Sequence, residues 1–374
     1  MKNILIIGTG WAGISASYKL ETLGYKTTLI EKENVVGGHS RSEKKNGVIF
    51  EPNGPHIFHT SNERVNKYVM KFGMKRKFTH EVKSRIYPNS LKGDSVLVSW
   101  PPQVSELKTL KEWQQIEKEL NLLPKSPDEK NFETYAISIM GRTLYDLFIY
   151  GYTKKQWELE PKELSSSFAP KRIDLRTDGN KGMYKDNWEY FHPEGSGEII
   201  ERIAEGREII FNTRVDLNNI EEFTEEYDAL ILTAALDDFS LSKEKLLWRG
   251  IKSEAEFIED IGISEHKTEA YQINHPSLNE EFTRTIETKH ASGQLVKGTV
   301  VCKEYSFPNI RHYPVLKTDN LTLDLNNKLK ELIQSELKIP TFYCGRLANY
   351  KYINQDEAIE NGFICAEKIF DYFE

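Results

Sequence analysis

Gly8, Gly10 and Gly13 stand in a G-x-G-x-x-G spacing directly after the apolar run NILII. The first glycine permits a tight turn, the second lets backbone approach a pyrophosphate, and the third lets a helix pack on a strand. Phosphate charge then meets the N-terminus of that helix. Glu31 lies 18 residues beyond Gly13, where a carboxylate accepts hydrogen bonds from a ribose diol. A second stretch, GYTKKQWELEP (151–161), brackets Lys154, Lys155 and Gln156 with the flat faces of Tyr152 and Trp157. Aromatic faces beside cations suit a ligand that is both ringed and anionic. They suit equally a helix end whose aromatics are core and whose lysines are solvated.

These residues need positioning elements. Residues 3–7 read as a buried parallel strand, Trp11 to Leu23 as a helix and KTTLIE (26–31) as the next strand, together a βαβ unit. After a helix near 61–72 come two β-like stretches, SRIYP and SVLVSW, then a Leu-punctuated polar segment with helical runs. Residues 165–190 are rich in Ser, Asp, Gly and Lys and read as a long loop that closes over a site. DALILTA (228–234) reads as a buried strand, while TEAYQIN, TRTIETK and GTVVCKEYSF alternate like an antiparallel sheet. PTFYCG (340–345) and a helix from about Asp356 end the chain. The expected class is α/β, with a Rossmann-like dinucleotide-binding domain, an inserted helical domain and an antiparallel β-sheet domain. Expected boundaries are 1–76, 192–235 and 338–374 for the first, 102–164 for the second, and 77–101, 165–191 and 236–337 for the third.

Composition narrows the partners. The chain has 374 residues, 39% of them hydrophobic and 29% charged, with net charge −7, so neither nucleic acid nor an anionic membrane is expected as the main partner. Cys302, Cys344 and Cys365 are scattered without metal-ligand spacing, so no metal site and no disulfide framework is expected. The apolar run in MKNILIIGTG is too short for a signal peptide, and no stretch approaches a membrane span. A cytoplasmic protein without membrane insertion is the expectation.

The cofactor follows from Glu31, Gly37-Gly38 and Arg41, an E-x5-G-G-x-x-R arrangement that looks like the extended fingerprint of FAD-dependent enzymes. No second G-x-G-x-x-G serves a nicotinamide, which leaves NAD(P)H as a candidate transient reductant only. With a flavin placed, GPHIFHT (54–60), GYTKKQW (151–157), KRIDLR (171–176), TRTIE (283–287), HYP (312–314) and GRLANYKY (345–352) together resemble the UDP-galactopyranose mutase family. In that family the N5 of a reduced FAD attacks the anomeric carbon of a nucleotide sugar and displaces the diphosphate. The pyranose and furanose forms interconvert with no net redox, and the product serves cell-surface polysaccharide biosynthesis.

The resemblance implies a site. Arg176 and Arg284 would hold the diphosphate, with Tyr313 and Tyr352 as phenolic donors. Phe148 and Tyr152, taken as i, i+4 neighbours on one helix face, would hold the base, Trp157 would lie beside the sugar, and the lysines would face solvent. His59 would lay its backbone against flavin N5. The cofactor would touch Gly8, Gly10, Trp11, Ala12, Gly13, Glu31, Lys32, Gly38, His39, Ser40, His56, Ile57, Arg346 and Asp356. The partner is a nucleotide sugar, UDP-galactopyranose first, and a homodimer is a candidate assembly. Two departures bear on the sugar. TDGNKGMYKDNWEYFHPEGSGE replaces a family loop of the form N-Y-D-D-N-Y-F, and VSWPPQ stands where the family often has S-L-P-I-N. UDP-N-acetylgalactosamine, a UDP-pentose such as UDP-arabinose, and dTDP-fucose therefore stay open, as does, in another class, an amine-oxidase-like flavin oxidoreductase.

Overall fold

A computed structural model describes residues 1–89, 92–308 and 310–374 of the chain, apart from the Lys171 side chain. Strand β1 (Asn3–Ile7), helix α1 (Trp11–Thr22) and strand β2 (Lys26–Ile30) form the expected βαβ unit, at the middle of a parallel sheet. The sheet runs Thr341–Tyr343, Ala229–Leu232, β1, β2, Glu208–Ile210, parallel throughout. Side chains alternate across it. Ile4 and Ile6 pack with α1 and the C-terminal helix Gln355–Phe373, while Leu5 and Ile7 join Leu230, Leu329 and Ile333 on the other face. The two helices of the first face touch closely, because a Cβ on Gly362 would sit 2.6 Å from Ala12 O.

The second sheet has seven strands, in the order Tyr313–Pro314, Trp248–Ile258, Thr299–Phe307, Arg284–Ile286, Gln272–Asn274, Val82–Ile86, Val96–Trp100. All its pairings are antiparallel except Gln272–Asn274 with Val82–Ile86. Its register sets Arg284 directly opposite Glu304. Against the second sheet packs a helical cluster whose members include Trp113–Leu120, Phe132–Leu144, a π-helical turn at Tyr145–Tyr150 and the helix Gly151–Trp157. Its core includes Tyr135, Met140, Leu144, Phe148 and Trp157.

We propose domain boundaries as expected from sequence, with one change. The helix Leu321–Glu336 packs Leu329 and Ile333 on the parallel sheet, so the third domain is drawn to end near residue 320 rather than 337. Segment 165–191 is mostly loop but is tied down at several points. Arg176 N–H donates to Pro102 O, Val104 N–H to Arg176 O and Met183 N–H to His80 O, and Trp188–Tyr190 pairs with Phe58–Thr60. Among the described residues no helix is long and apolar enough to cross a membrane.

Candidate active site

The glycine turn is built for a ligand. Gly8 holds φ at 106°, and a Cβ on Gly13 would fall 2.0 Å from Gly8 O, so neither position admits a side chain. A Cβ on Gly10, in contrast, would meet no atom of the described residues within 4 Å. Gly10 thus faces open space at the N-terminus of α1, a helix with no side-chain cap and no acidic residue in its first turn. Its free N–H groups suit a pyrophosphate. Glu31 is 5% exposed and braces the turn, since Thr9 N–H and Oγ–H donate to Oε2 at 3.1 and 2.6 Å and Glu33 N–H donates to Oε1 at 3.1 Å. Gly38 approaches the turn from the second motif, where a Cβ would lie 3.4 Å from Gly10 Cα.

Around this turn the expected cofactor residues divide. The Trp11 indole is buried against Phe58 and donates to Gln355 Oε1 at 2.8 Å, so only its backbone remains for a ligand. Ala12 and Ile57 are also buried, Ser40 O accepts from Ser196 Oγ, and Lys32 is exposed beside Glu33. His39 and His312 approach to 4.2 Å between ring centroids. Burial pushes His56 and His312 down to about 3 and His39 well below the usual imidazole range. The three imidazoles are therefore neutral near pH 7. The His312 tautomer is set by Ile251 N–H, which donates to Nδ1 at 2.8 Å. Among the described residues His56 Nδ1 and Asp356 Oδ1 are buried without a partner, as cofactor-facing polar atoms would be before the cofactor binds. Arg346 donates to Ile353 O and to His312 O, at the junction of the two halves of the site.

The other half is an aromatic box with cations. Tyr313 and Tyr352 stack at 5.4 Å, and Trp157 stands 6.2 Å from each. Arg346 lies over Tyr313 at 5.0 Å, and Arg172 over Tyr352 at 4.6 Å. Arg284, 7% exposed, donates from Nε and one terminal nitrogen to Glu304 Oε2 at 2.6 and 2.5 Å. Burial works against its charge, but Glu304, Tyr152 and Tyr313 outweigh it and raise its pKa. Tyr152 is therefore in the field of Arg284, as expected of the cleft.

Three expectations are corrected here. Phe148 packs on Trp100 in the helical core at 5.8 Å and is 3% exposed, whereas Tyr152 faces Arg284 and Tyr313. The two stay i, i+4 across the π-turn at Tyr145–Tyr150, but Phe148 is enclosed in the helical core while Tyr152 is half-buried. Lys155 does not face solvent, because its ammonium donates to four carbonyls. Arg176 is 3% exposed and pairs with Asp174 at 2.6 Å, so the arginine that reaches the tyrosines is Arg172. Arg176 keeps one terminal nitrogen buried and unpartnered.

Sequence reasoning also missed what lies beside His59. Its Nδ1 is 2.7 Å from Asp186, and its ring stacks on Tyr184 at 3.5 Å. The His59 hydrogen bond holds Asp186 below the usual carboxylate range, and burial pushes Tyr184 up to about 12. Both partners come from the divergent loop, carried in by the pairing of Phe58–Thr60 with Trp188–Tyr190. The signal was the pairing itself, which the short EY and FHT runs do not announce.

A model of the UDP-galactopyranose mutase family matches residues 147–352, the stretch holding all of the aromatic box. The chain belongs to the UDP-galactopyranose mutase family. A model of the flavin-containing amine oxidoreductases matches residues 11–237, which include much of the cofactor half. The chain is 28% identical to the dTDP-fucopyranose mutase of Escherichia coli over 98% of both chains. It is 27% identical to a probable UDP-galactopyranose mutase of Klebsiella pneumoniae over 98% of this chain and 94% of that one. The solved structure of a reduced UDP-galactopyranose mutase shares the fold, with a TM-score of 0.78 at 18% identity over 100% of this chain and 96% of that one. By family the protein is an isomerase, a nucleotide-sugar mutase on a flavoprotein fold.

Proposed function

We propose that the protein interconverts the pyranose and furanose forms of UDP-galactose, using bound FAD in its reduced form. Bound and reduced, the flavin supplies a nucleophilic nitrogen that takes the anomeric carbon from the nucleoside diphosphate. The protein supplies the surroundings of that exchange. Gly8, Gly10, Gly13 and the N-terminus of α1 hold the pyrophosphate of FAD, with Glu31 near its ribose. Neutral His39, His56 and His312 face the flavin without adding charge to it.

Arg284, Tyr313 and Tyr352 hold the substrate diphosphate, which gains charge as it leaves, and Arg172 joins them from over Tyr352. Segment 172–190, anchored where Arg176 pairs with Asp174 and donates to Pro102 O, closes over the nucleotide. Trp157 and Tyr152 provide flat faces for the sugar and base. His59, held by Asp186 and covered by Tyr184, closes the sugar side. The observation that carries the reading is the convergence of Arg284, Arg172 and Arg346 on the stacked Tyr313–Tyr352 pair. An amine oxidase has no use for such an anion site.

A second substrate, dTDP-fucopyranose, is favoured by the Escherichia coli relative and by the altered loop that carries Tyr184 and Asp186 to the site. The test is to incubate the dithionite-reduced protein with both nucleotide sugars and UDP-N-acetylgalactosamine and to look for furanose products. Furanose formed without consumption of reductant supports the mutase. Hydrogen peroxide or NAD(P)H oxidation in step with turnover would replace it with the oxidase reading.

A further inference from the structure

Lys155 Nζ lies 2.6 Å from His275 O, 2.7 Å from Ser277 O, 2.9 Å from Glu280 O and 2.8 Å from Phe282 O. An ammonium carries three protons, so these acceptors saturate it and leave nothing for a ligand. One turn earlier on the same helix, a Cβ on Gly151 would fall 2.1 Å from Pro276 O. The helix Gly151–Trp157 thus rests on the loop 275–282 at a bare glycine and is pinned to it by one lysine. That loop leads straight into Arg284, while the helix carries Tyr152 and Trp157. Burial pulls the lysine down to about 8 and Glu280 opposes this. The four carbonyl dipoles act in the same direction as Glu280 and hold the proton in place.

We propose that Lys155 is a positioning residue that sets the Arg284 wall of the nucleotide-sugar cleft against the Tyr152 and Trp157 wall. The proposal rests on the cleft assigned above. Without the ammonium, four carbonyls point into a partly buried space with no donor. The loop must turn them to water, and Arg284 moves with it.

The test uses the flavin-loaded protein and measures the dissociation constant of UDP, the flavin content and the melting temperature. Lys155→Met should weaken UDP by roughly tenfold or more with flavin content unchanged. Lys155→Cys should bind UDP as weakly, and alkylation with 2-bromoethylamine, which rebuilds an ammonium at similar reach, should restore binding. The three native cysteines are buried and leave the introduced thiol as the reactive one. Gly151→Ala attacks the same contact from the helix and should also weaken UDP, which keeps the test open if Lys155→Met does not fold. Unchanged UDP affinity in folded Lys155→Met or Gly151→Ala overturns the proposal, and so does a loss that aminoethylation fails to reverse. Absence of binding of UDP and dTDP by the unaltered protein would instead strike the cleft assignment.

Discussion

Replacing Arg284 separates stability from chemistry in a way the structure specifies. Arg284 and Glu304 face each other across two strands, and Glu304 is 0% exposed with both Arg284 contacts on a single oxygen. Arg284→Ala leaves that carboxylate buried and alone, which should cost about 3–5 kcal/mol of stability. If Arg284 also steadies the departing diphosphate, turnover should fall ~10²-fold, equivalent to about 3 kcal/mol of transition-state stabilisation. The two losses come apart in Arg284→Met with Glu304→Leu, which removes both charges. Stability should return to within about 2 kcal/mol of the unaltered protein, while turnover stays low. Arg284→Lys should keep most of the stability through its charge but offers the phosphates one point instead of a fork, so turnover remains depressed. Urea unfolding and single-turnover furanose formation with reduced protein read the two quantities independently. Recovery of turnover in the double variant would remove Arg284 from the mechanism, and an Arg284→Ala protein as stable as the parent would contradict the buried pair.

Gly10→Val should fold but lose its flavin, because a Cβ there meets none of the described residues within 4 Å and points into the space left for the pyrophosphate; Gly13→Ala should fail in folding as well, its Cβ colliding with Gly8 O. Absorbance near the flavin bands and circular dichroism separate the two. His312 binds its proton far less readily when folded, so as pH falls below about 6.5 the unfolded chain gains a proton the folded one does not. Stability should therefore drop with acid down toward about 3, at up to roughly 1.4 kcal/mol per pH unit. His312→Asn, which keeps an acceptor for Ile251 N–H, should flatten that slope in urea titrations between pH 7 and 4.5. Trypsin should cut at the exposed Lys181 and Lys185, and saturating UDP should slow the cutting; equal rates with and without UDP would argue against closure of segment 172–190.

The parallel sheet was legible because its strands carry their own signal. NILII and DALILTA are short apolar runs buried on both faces, and Gly8, Gly10 and Gly13 fix the turn between strand and helix. The 11-residue strand Trp248–Ile258 gave no such signal. Its sequence WRGIKSEAEFI is polar along much of its length, because its far half is exposed and its order comes from pairing with Thr299–Phe307. The helix Leu321–Glu336 was hidden for a related reason. It buries a narrow stripe that includes Leu329 and Ile333, and the remainder of its surface is polar. In both cases the tertiary partner, not the local pattern, decides the structure.

The site shows the same division more sharply. Arg284, Tyr313 and Tyr352 were expected together from three separate motifs, and the fold does bring them together. KRIDLR offered two arginines four apart, and sequence alone could not tell which one reaches the tyrosines. The choice depends on Asp174, which captures Arg176 at 2.6 Å, and on the docking of Pro102 to Val104 against Arg176. Lys155 carries the lesson furthest. A lysine in a polar stretch reads as solvated, since a buried ammonium is costly. The cost is met here by carbonyls from a loop more than a hundred residues away, which bend toward one point only once Gly151 has let the helix approach Pro276. Tyr152 and Trp157 thus flank the cation that holds their helix in place, so in GYTKKQW Tyr152 lies in the field of Arg284, Trp157 stands beside Tyr313 and Tyr352, and the second lysine faces the scaffold.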